Sequence, residues 1–475
     1  MAFMLFSPNL FQFYVFWEVI GIISYLLIGF DYKNCIKSEA SRRVFLMNRI
    51  GDTSLITGII LTSYYMLNAA GSYSLAALSF GDFNAISTML MAYTETPVFC
   101  LICVLFIIAA FVKSAQFPFH TWLQDAMEAK LPVSALLHSA TMVAAGVYLV
   151  IKMMPFFTLN PHLTDFILVM GLLTALVCSI MASVETQFKK ILAYSTSANL
   201  GLMFAAAGIQ NIKAVLILFC AHALIKSLLF ILIPTEKEMP KINFILFFVT
   251  SLSLAGVLFS GLGVKEITFK SLEFSQTLCY VFLLICFITA FYSVRLAILI
   301  YQKSELKNNA NVTELTADLI LFFGNFAIYI ILAGSYHLAE PFAAAIGGIA
   351  LAFLLGRHKA LEKVSVPKLL EKLYNKTVPA IYEKTALELD YIDNKVLSNY
   401  KPIIFLSKIS VKMINWIEVN VMNKSVTLVS DISKEFSKRD MILQTKNVQT
   451  YNAYAFILLT AVIALVIISY TLIFK

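Results

Sequence analysis

The sequence predicts an all-α fold, a polytopic transmembrane bundle of about twelve helices, two of them discontinuous, with a long lateral amphipathic helix toward the carboxyl end. Three observations carry that expectation. Of the 475 residues, 60% are hydrophobic and 13% charged, and the mean hydropathy is +0.82, which no ordinary soluble domain approaches. Apolar runs long enough to cross a hydrocarbon core of ~30 Å recur along most of the chain. Lys and Arg gather in alternate connections between those runs, the arrangement that the positive-inside rule describes.

In order, the runs fall near 9–30, 45–69, 97–127, 131–152, 163–184, 190–209, 212–234, 241–275, 277–302, 315–335, 339–356 and 451–474. The first, FQFYVFWEVIGIISYLLIGF, carries Glu18 near its middle and follows the amino terminus with no basic n-region, so no cleavable signal is expected. The next connection holds Lys33, Lys37, Arg42 and Arg43, which assigns it to the cytoplasm. Residues 70–96 contain Asp82 and Glu95 but neither Lys nor Arg, so they belong outside. The alternation continues with Lys189 and Lys190 inside, 210–212 outside, Lys237, Lys241, Lys303 and Lys307 inside, 335–341 outside, and Arg357 to Lys363 inside.

Two runs are too long and too interrupted for plain helices. In 97–127 the apolar run meets Lys113, Pro118 and His120, and in 241–275 it meets Gly256, Gly261 and Gly263 before Lys265 and Glu266. Broken helices free backbone groups that line polar cavities at membrane depth. A lysine at each break suggests two five-helix blocks, one starting near Glu18 and one near residue 163.

After Gly356 the composition turns polar. Residues 361–445 are rich in Lys, Glu and Asp, yet keep Leu, Ile, Val and Tyr at roughly helical spacing, with Pro367, Pro379 and Pro402 as kinks. The expected organisation is a bundle over 1–360, a lateral amphipathic helix on the cytoplasmic side over 361–445, and an anchoring helix within 446–475.

The net charge of +8 sits in short connections and in the late polar segment, so the bilayer is the expected partner rather than nucleic acid. The seven cysteines are scattered, and the CxxC of Cys100 and Cys103 lies in an apolar helix as two small buried hydrophobes. No metal spacing, phosphate loop or nucleophile elbow appears, so no cofactor or metal is expected on this chain.

The apolar runs contain Glu18, Arg49, Asp52, Lys113, His138, His222, Lys226, Lys265, Glu266 and Arg295. Each such group costs at least ~2.5 kcal/mol at membrane depth and is by default a functional candidate. Taken singly, His138 and His222 are more often hydrogen-bonded core histidines than proton carriers, and Arg49 and Arg295 are side chains that snorkel or pair structurally. Lys113 lies mid-crossing, where snorkelling fails. A carboxylate moving toward or away from a lysine held out of water changes its proton affinity. Glu18 with Lys113, and Lys226 with Lys265 and Glu266, are the expected pairs.

The strings FWEVIGIISYLLIGF, NRIGDTSLITGI, KSAQFPFHTWLQDAMEAKLPVSALLHSATMVAAGVYLV, ILAYSTSANLGLMFAAAG, HALIKSLLF, FITAFYSVRL and LQTKNVQTYNAYAF run in order over nearly the whole chain. In them the sequence resembles the antiporter-like membrane subunits of respiratory complex I, most of all the L-type (chain 5) branch, to whose lateral helix 361–445 is similar. The resemblance implies that Glu18 is the acidic partner of Lys113, His138 a central relay, Lys226 a bridging lysine, and Lys265 with Glu266 the terminal lysine and its neighbour. Arg49 and Asp52 match a polar pair supporting the first site, and His222 supports the relay. The match starts at the family's fifth helix, which implies about four helices before it, sixteen in all. Leu218 stands where the family usually has a histidine, PTEKEMPK replaces a longer loop, and Gly261-Leu262-Gly263-Val264 replaces Gly-Phe-Phe-Ser.

The implied activity is that of a proton-translocating subunit of the enzyme NADH:quinone oxidoreductase, with no redox site in this chain. NAD(H), FMN, iron–sulfur clusters and quinone are then expected in other subunits, and membrane subunits of the M and N types are the expected partners. A subunit of a multi-subunit sodium/proton antiporter, with the same helices and lysines, is the alternative, and a non-pumping structural paralogue a third. The lateral segment favours complex I. Connections rich in Lys, Asn and Ile suggest an AT-rich genome and a bacterial plasma membrane rather than a mitochondrial inner one.

Overall fold

The structure, a computed structural model, describes residues 1–31, 33–70, 97–139, 141–234, 238–272, 275–307, 318–319, 321–325 and 340–355. The predicted lateral segment 361–445, the anchor within 446–475, most of run 315–335 and the connection after residue 70 lie outside the described residues.

Helices α1 (Ala2–Leu5), α2 (Leu10–Ile28) and α3 (Cys35–Ala70) are followed by α4 (Pro97–Lys113), a short α5 (Trp122–Asp125), α6 (Leu131–Ser139) and α7 (Ala144–Phe157). Then come α8 (Pro161–Val184), α9 (Phe188–Gly208), α10 (Ile212–Ile231), α11 (Lys241–Ala255), α12 (Phe259–Leu272), α13 (Gln276–Lys303) and α14 (Glu340–Leu355). Seven described spans are long and apolar enough to cross a membrane, and Pro97–Lys113, Lys241–Ala255 and Glu340–Leu354 are shorter apolar helices. Together they account for ten of the predicted runs. Helix α3 starts well before its apolar run, taking Lys37, Arg42 and Arg43 into its first turns.

Asparagines set several helix starts. Asn9, Asn160 and Asn211 each accept a hydrogen bond from a backbone N–H of the first turn, at Gln12, His162 and Ala214, satisfying donors that a helix leaves free. Helix α9 forms the centre, buried along nearly its whole length, whereas α2 keeps much of its outer side exposed. Helix α9 packs backbone to backbone on α8, because Gly171 faces Gly201 and a Cβ at Gly171 would lie 2.6 Å from the Gly201 carbonyl oxygen.

Among the described residues, the connections near Arg43, Lys189, Lys241 and Lys303 meet at one end of the bundle, as the charge alternation predicts. Arg43 Nε reaches Asp125 at 3.6 Å, Lys189 Nζ donates to Ala129 O at 2.7 Å, and Lys303 lies 5.2 Å over the Phe188 ring. At the same end β1 (Glu238–Pro240) pairs in parallel with β2 (Glu305–Lys307), a small addition to the helices among the described residues.

Both predicted breaks are present and share one geometry. Helix α4 stops at Lys113; Ala115 turns left-handed at φ +48, and Ala115 N and Gln116 N close back on Val112 O and Phe111 O at 3.2 and 2.8 Å. Helix α11 stops at Ala255; Gly256 turns left-handed at φ +86, and Gly256 N and Val257 N close on Ser253 O and Leu252 O at 2.9 and 3.1 Å. This paired closure is the Schellman termination. The lysines differ in position: Lys113 ends the first half-helix, whereas Lys265 sits inside the second and reaches back. A third interruption, unforeseen in the sequence, separates α6 from α7 just after His138.

Candidate functional site

Helix α2 turns Phe13, Trp17, Gly21, Ser24 and Ile28 inward at helical spacing. Arg49 and Asp52, one turn apart on α3, face that side, and α4 delivers Lys113 from its last turn. Lys113 Nζ lies 3.3 Å from Asp52 Oδ1, with side-chain exposures of 0% and 2%. The same oxygen accepts a 2.7 Å hydrogen bond from Trp17 Nε1. The ammonium also approaches Trp17 O at 3.5 Å and stands 4.9 Å from the Trp17 ring centroid, a cation–π contact worth ~2 kcal/mol where water is excluded. Gly21 leaves the space that the ammonium fills, since a Cβ there would lie 3.3 Å from Nζ.

Glu18 does not pair with Lys113, contrary to the sequence expectation. It is bound by Arg49 Nη1 at 2.5 Å and by the Tyr14 hydroxyl at 2.7 Å, while Arg49 Nε faces Asp52 Oδ2 at 3.7 Å. The result is an alternating row, Glu18, Arg49, Asp52, Lys113, running from partly exposed to fully buried. The row is neutral when all four groups are ionised, the condition under which charges persist in a low-dielectric interior. The physical reason is register: Glu18 lies one residue past the inward face of α2, and Trp17 occupies the inward position.

The second cluster lies on α6, α9 and α10. His138 is fully buried, stacks on Phe230 at 5.4 Å, and neither ring nitrogen has a hydrogen-bond partner among the described residues. Its backbone carbonyl, near the end of α6, meets His222 Nε2 at 3.2 Å. One turn after His222, the fully buried Lys226 donates to Leu192 O at 3.1 Å and to the Ser195 hydroxyl. No carboxylate joins it among the described residues.

Lys265 forms the third. Its Nζ donates to Ala255 O at 2.6 Å, a carbonyl left free at the end of α11, where the helix dipole favours a cation. Among the described residues no contact joins Lys226 to Lys265: each ammonium donates to a backbone carbonyl on a different helix, Leu192 O on α9 and Ala255 O on α11. Glu266 follows Lys265 on α12, and its side chain is outside the described ones. A cavity of about 30 Å³, lined by Asn199, His222, Ser253, Lys265 and Thr268 among others, lies between His222 and Lys265. It has room for about two waters beside polar partners. Arg295 Nη1 donates to Glu185 O at 2.6 Å, in the connection from α8 to α9 and apart from the three lysine sites.

Sequence reasoning missed Trp17, Ser195 and Asn199. Trp17 carried a readable signal, since an indole N–H deep in an apolar helix needs an acceptor; the two others are ordinary polar residues whose importance only the packing of α9 on α10 and α12 reveals.

Comparison with known proteins bears on the sequence and on the fold. The family described as NADH:quinone oxidoreductase/Mrp antiporter, TM matches residues 7–247. NADH-quinone oxidoreductase subunit L of Campylobacter jejuni is 35% identical over 356 residues, 71% of this chain and 57% of that protein. The chloroplast NAD(P)H-quinone oxidoreductase subunit 5 of Marchantia polymorpha is 44% identical over 227 residues, 47% of this chain and 32% of that one. The chain thus spans only part of the length of the curated relatives it matches. Among solved structures, the Mrp complex from Dietzia sp. DQ12-45-1b aligns with a TM-score of 0.60 at 22% identity, covering 87% of this chain and 50% of that one. The membrane-bound sulfane sulfur reductase, an archaeal respiratory complex, aligns with a TM-score of 0.61 at 18% identity, covering 74% of each chain. These two likenesses concern the fold; the match over residues 7–247, about half of the sequence, is what shows that the chain belongs to the NADH:quinone oxidoreductase/Mrp antiporter transmembrane family.

Proposed function

We propose that the chain is a proton-translocating membrane subunit of an NADH-quinone oxidoreductase, working with other membrane subunits, of the M and N types, in a bacterial plasma membrane. The observation that carries the reading is the fully buried Lys113 ammonium held against Asp52. A buried ion pair contributes little to stability, and an ionisable group at membrane depth is a functional candidate by default. Protons then pass by way of the Lys113 row, the His138, His222 and Lys226 cluster, and the cavity at Lys265. Electron transfer, with its NAD(H), FMN, iron–sulfur and quinone chemistry, belongs to other subunits.

A second reading, a subunit of a cation/proton antiporter, is supported by the likeness of fold to the Mrp complex over 87% of this chain. Inverted membrane vesicles from cells with and without the gene separate the two. Proton uptake driven by NADH and lost on deletion supports the first; sodium-driven proton movement lost on deletion, with NADH-driven uptake intact, supports the second.

A further inference from the structure

We propose that Trp17 is a positioning residue for proton transfer at Lys113, its indole fixing Asp52 as the counter-ion of the lysine; this rests on the translocation reading above. Three contacts point to it. Trp17 Nε1 donates to Asp52 Oδ1 at 2.7 Å, and Lys113 Nζ meets that same oxygen at 3.3 Å. The other Asp52 oxygen faces Arg49 Nε at 3.7 Å and accepts no hydrogen bond. The indole is therefore the short, well-formed bond on this carboxylate, and the lysine the longer one.

That asymmetry has a mechanical consequence. A carboxylate held by a neutral donor keeps its place and its charge while the lysine beside it changes protonation or swings away. Without the indole, Asp52 has only the two cations to hold it and collapses toward one of them. The Trp17 ring and carbonyl add a second restraint by receiving the ammonium on the α2 side, in the space beside Gly21. Trp17 is itself fully buried, so no solvent replaces the lost donor.

The test uses membranes carrying the assembled complex and reads protons translocated per NADH oxidised, normalised to the amount of this subunit. Trp17→Phe keeps the ring face and removes the N–H. The expected result is a fall of about threefold or more in that ratio, with the double variant Trp17→Phe/Asp52→Asn no lower than Asp52→Asn alone, because both changes act through one carboxylate. An unchanged ratio in Trp17→Phe, or effects of the two substitutions that multiply, overturns the proposal. Where Trp17→Phe fails to assemble, Trp17→His restores an N–H donor: a ratio per assembled subunit at least half that of the parent supports the proposal, and a ratio equal to that of Asp52→Asn overturns it. Lys113→Ala runs alongside; a normal ratio there defeats the translocation reading itself, whereas a reduced ratio there with a normal one in Trp17→Phe defeats only the role of the indole.

Discussion

Lys113 Nζ and Asp52 Oδ1 stand 3.3 Å apart, with neither side chain more than 2% exposed. Glu18, the carboxylate nearest in the sequence argument, is taken by Arg49 instead. The lysine's immediate partner thus comes from α3, and Glu18 is linked to it only through Arg49 and Asp52.

Removing one member of a buried pair strands the other charge, at ~3–5 kcal/mol. Asp52→Asn is therefore expected to lower proton transport by about tenfold, and the double variant with Lys113→Ala to be no worse than the worse single one, because groups acting as a unit do not add. Vesicle proton uptake in the four members of the cycle checks this; multiplying effects contradict it.

Gly256 is required twice over. Its φ of +86 disfavours any L side chain, and a methyl there would run into the Lys265 stem. Gly256→Ala is expected to cost ~1–2 kcal/mol at the break and to displace the ammonium from Ala255 O. Thermal unfolding of the purified complex and vesicle proton uptake should both fall; a variant equal to the parent in both would contradict the geometry.

Ser195→Ala takes from Lys226 its hydroxyl partner and leaves it the Leu192 carbonyl. A buried group that loses a hydrogen bond is destabilised by ~1–3 kcal/mol, so transport should drop several-fold, with Ser195→Thr close to the parent. Loss in the threonine variant equal to that in the alanine one would show that volume, not the hydroxyl, matters at this position.

Much of the fold was legible because membrane crossings announce themselves by length and charge. The runs, the two breaks and the meeting of basic connections at one end follow from apolar length, Gly and Lys placement, and loop charge. The pairing within the site was less legible. Trp17 and Glu18 are neighbours in sequence, and only the register of α2 against α3 and α4 decides which of them meets the Lys113 site. The break after His138 has no Pro or Gly in the described turn to signal it, and the tie from Lys265 back to Ala255 depends on how α12 folds against the end of α11.

The central claim is that the Lys113 ammonium takes part in proton translocation. The direct measurement is proton uptake into inverted vesicles at matched rates of NADH oxidation, comparing Lys113→Ala and Lys113→Arg with the parent after confirming that the subunit is present. Both variants are predicted to lose most of the transport through this unit, alanine because no ammonium remains and arginine because it keeps its proton at any accessible pH. Transport equal to the parent in Lys113→Ala would contradict the account.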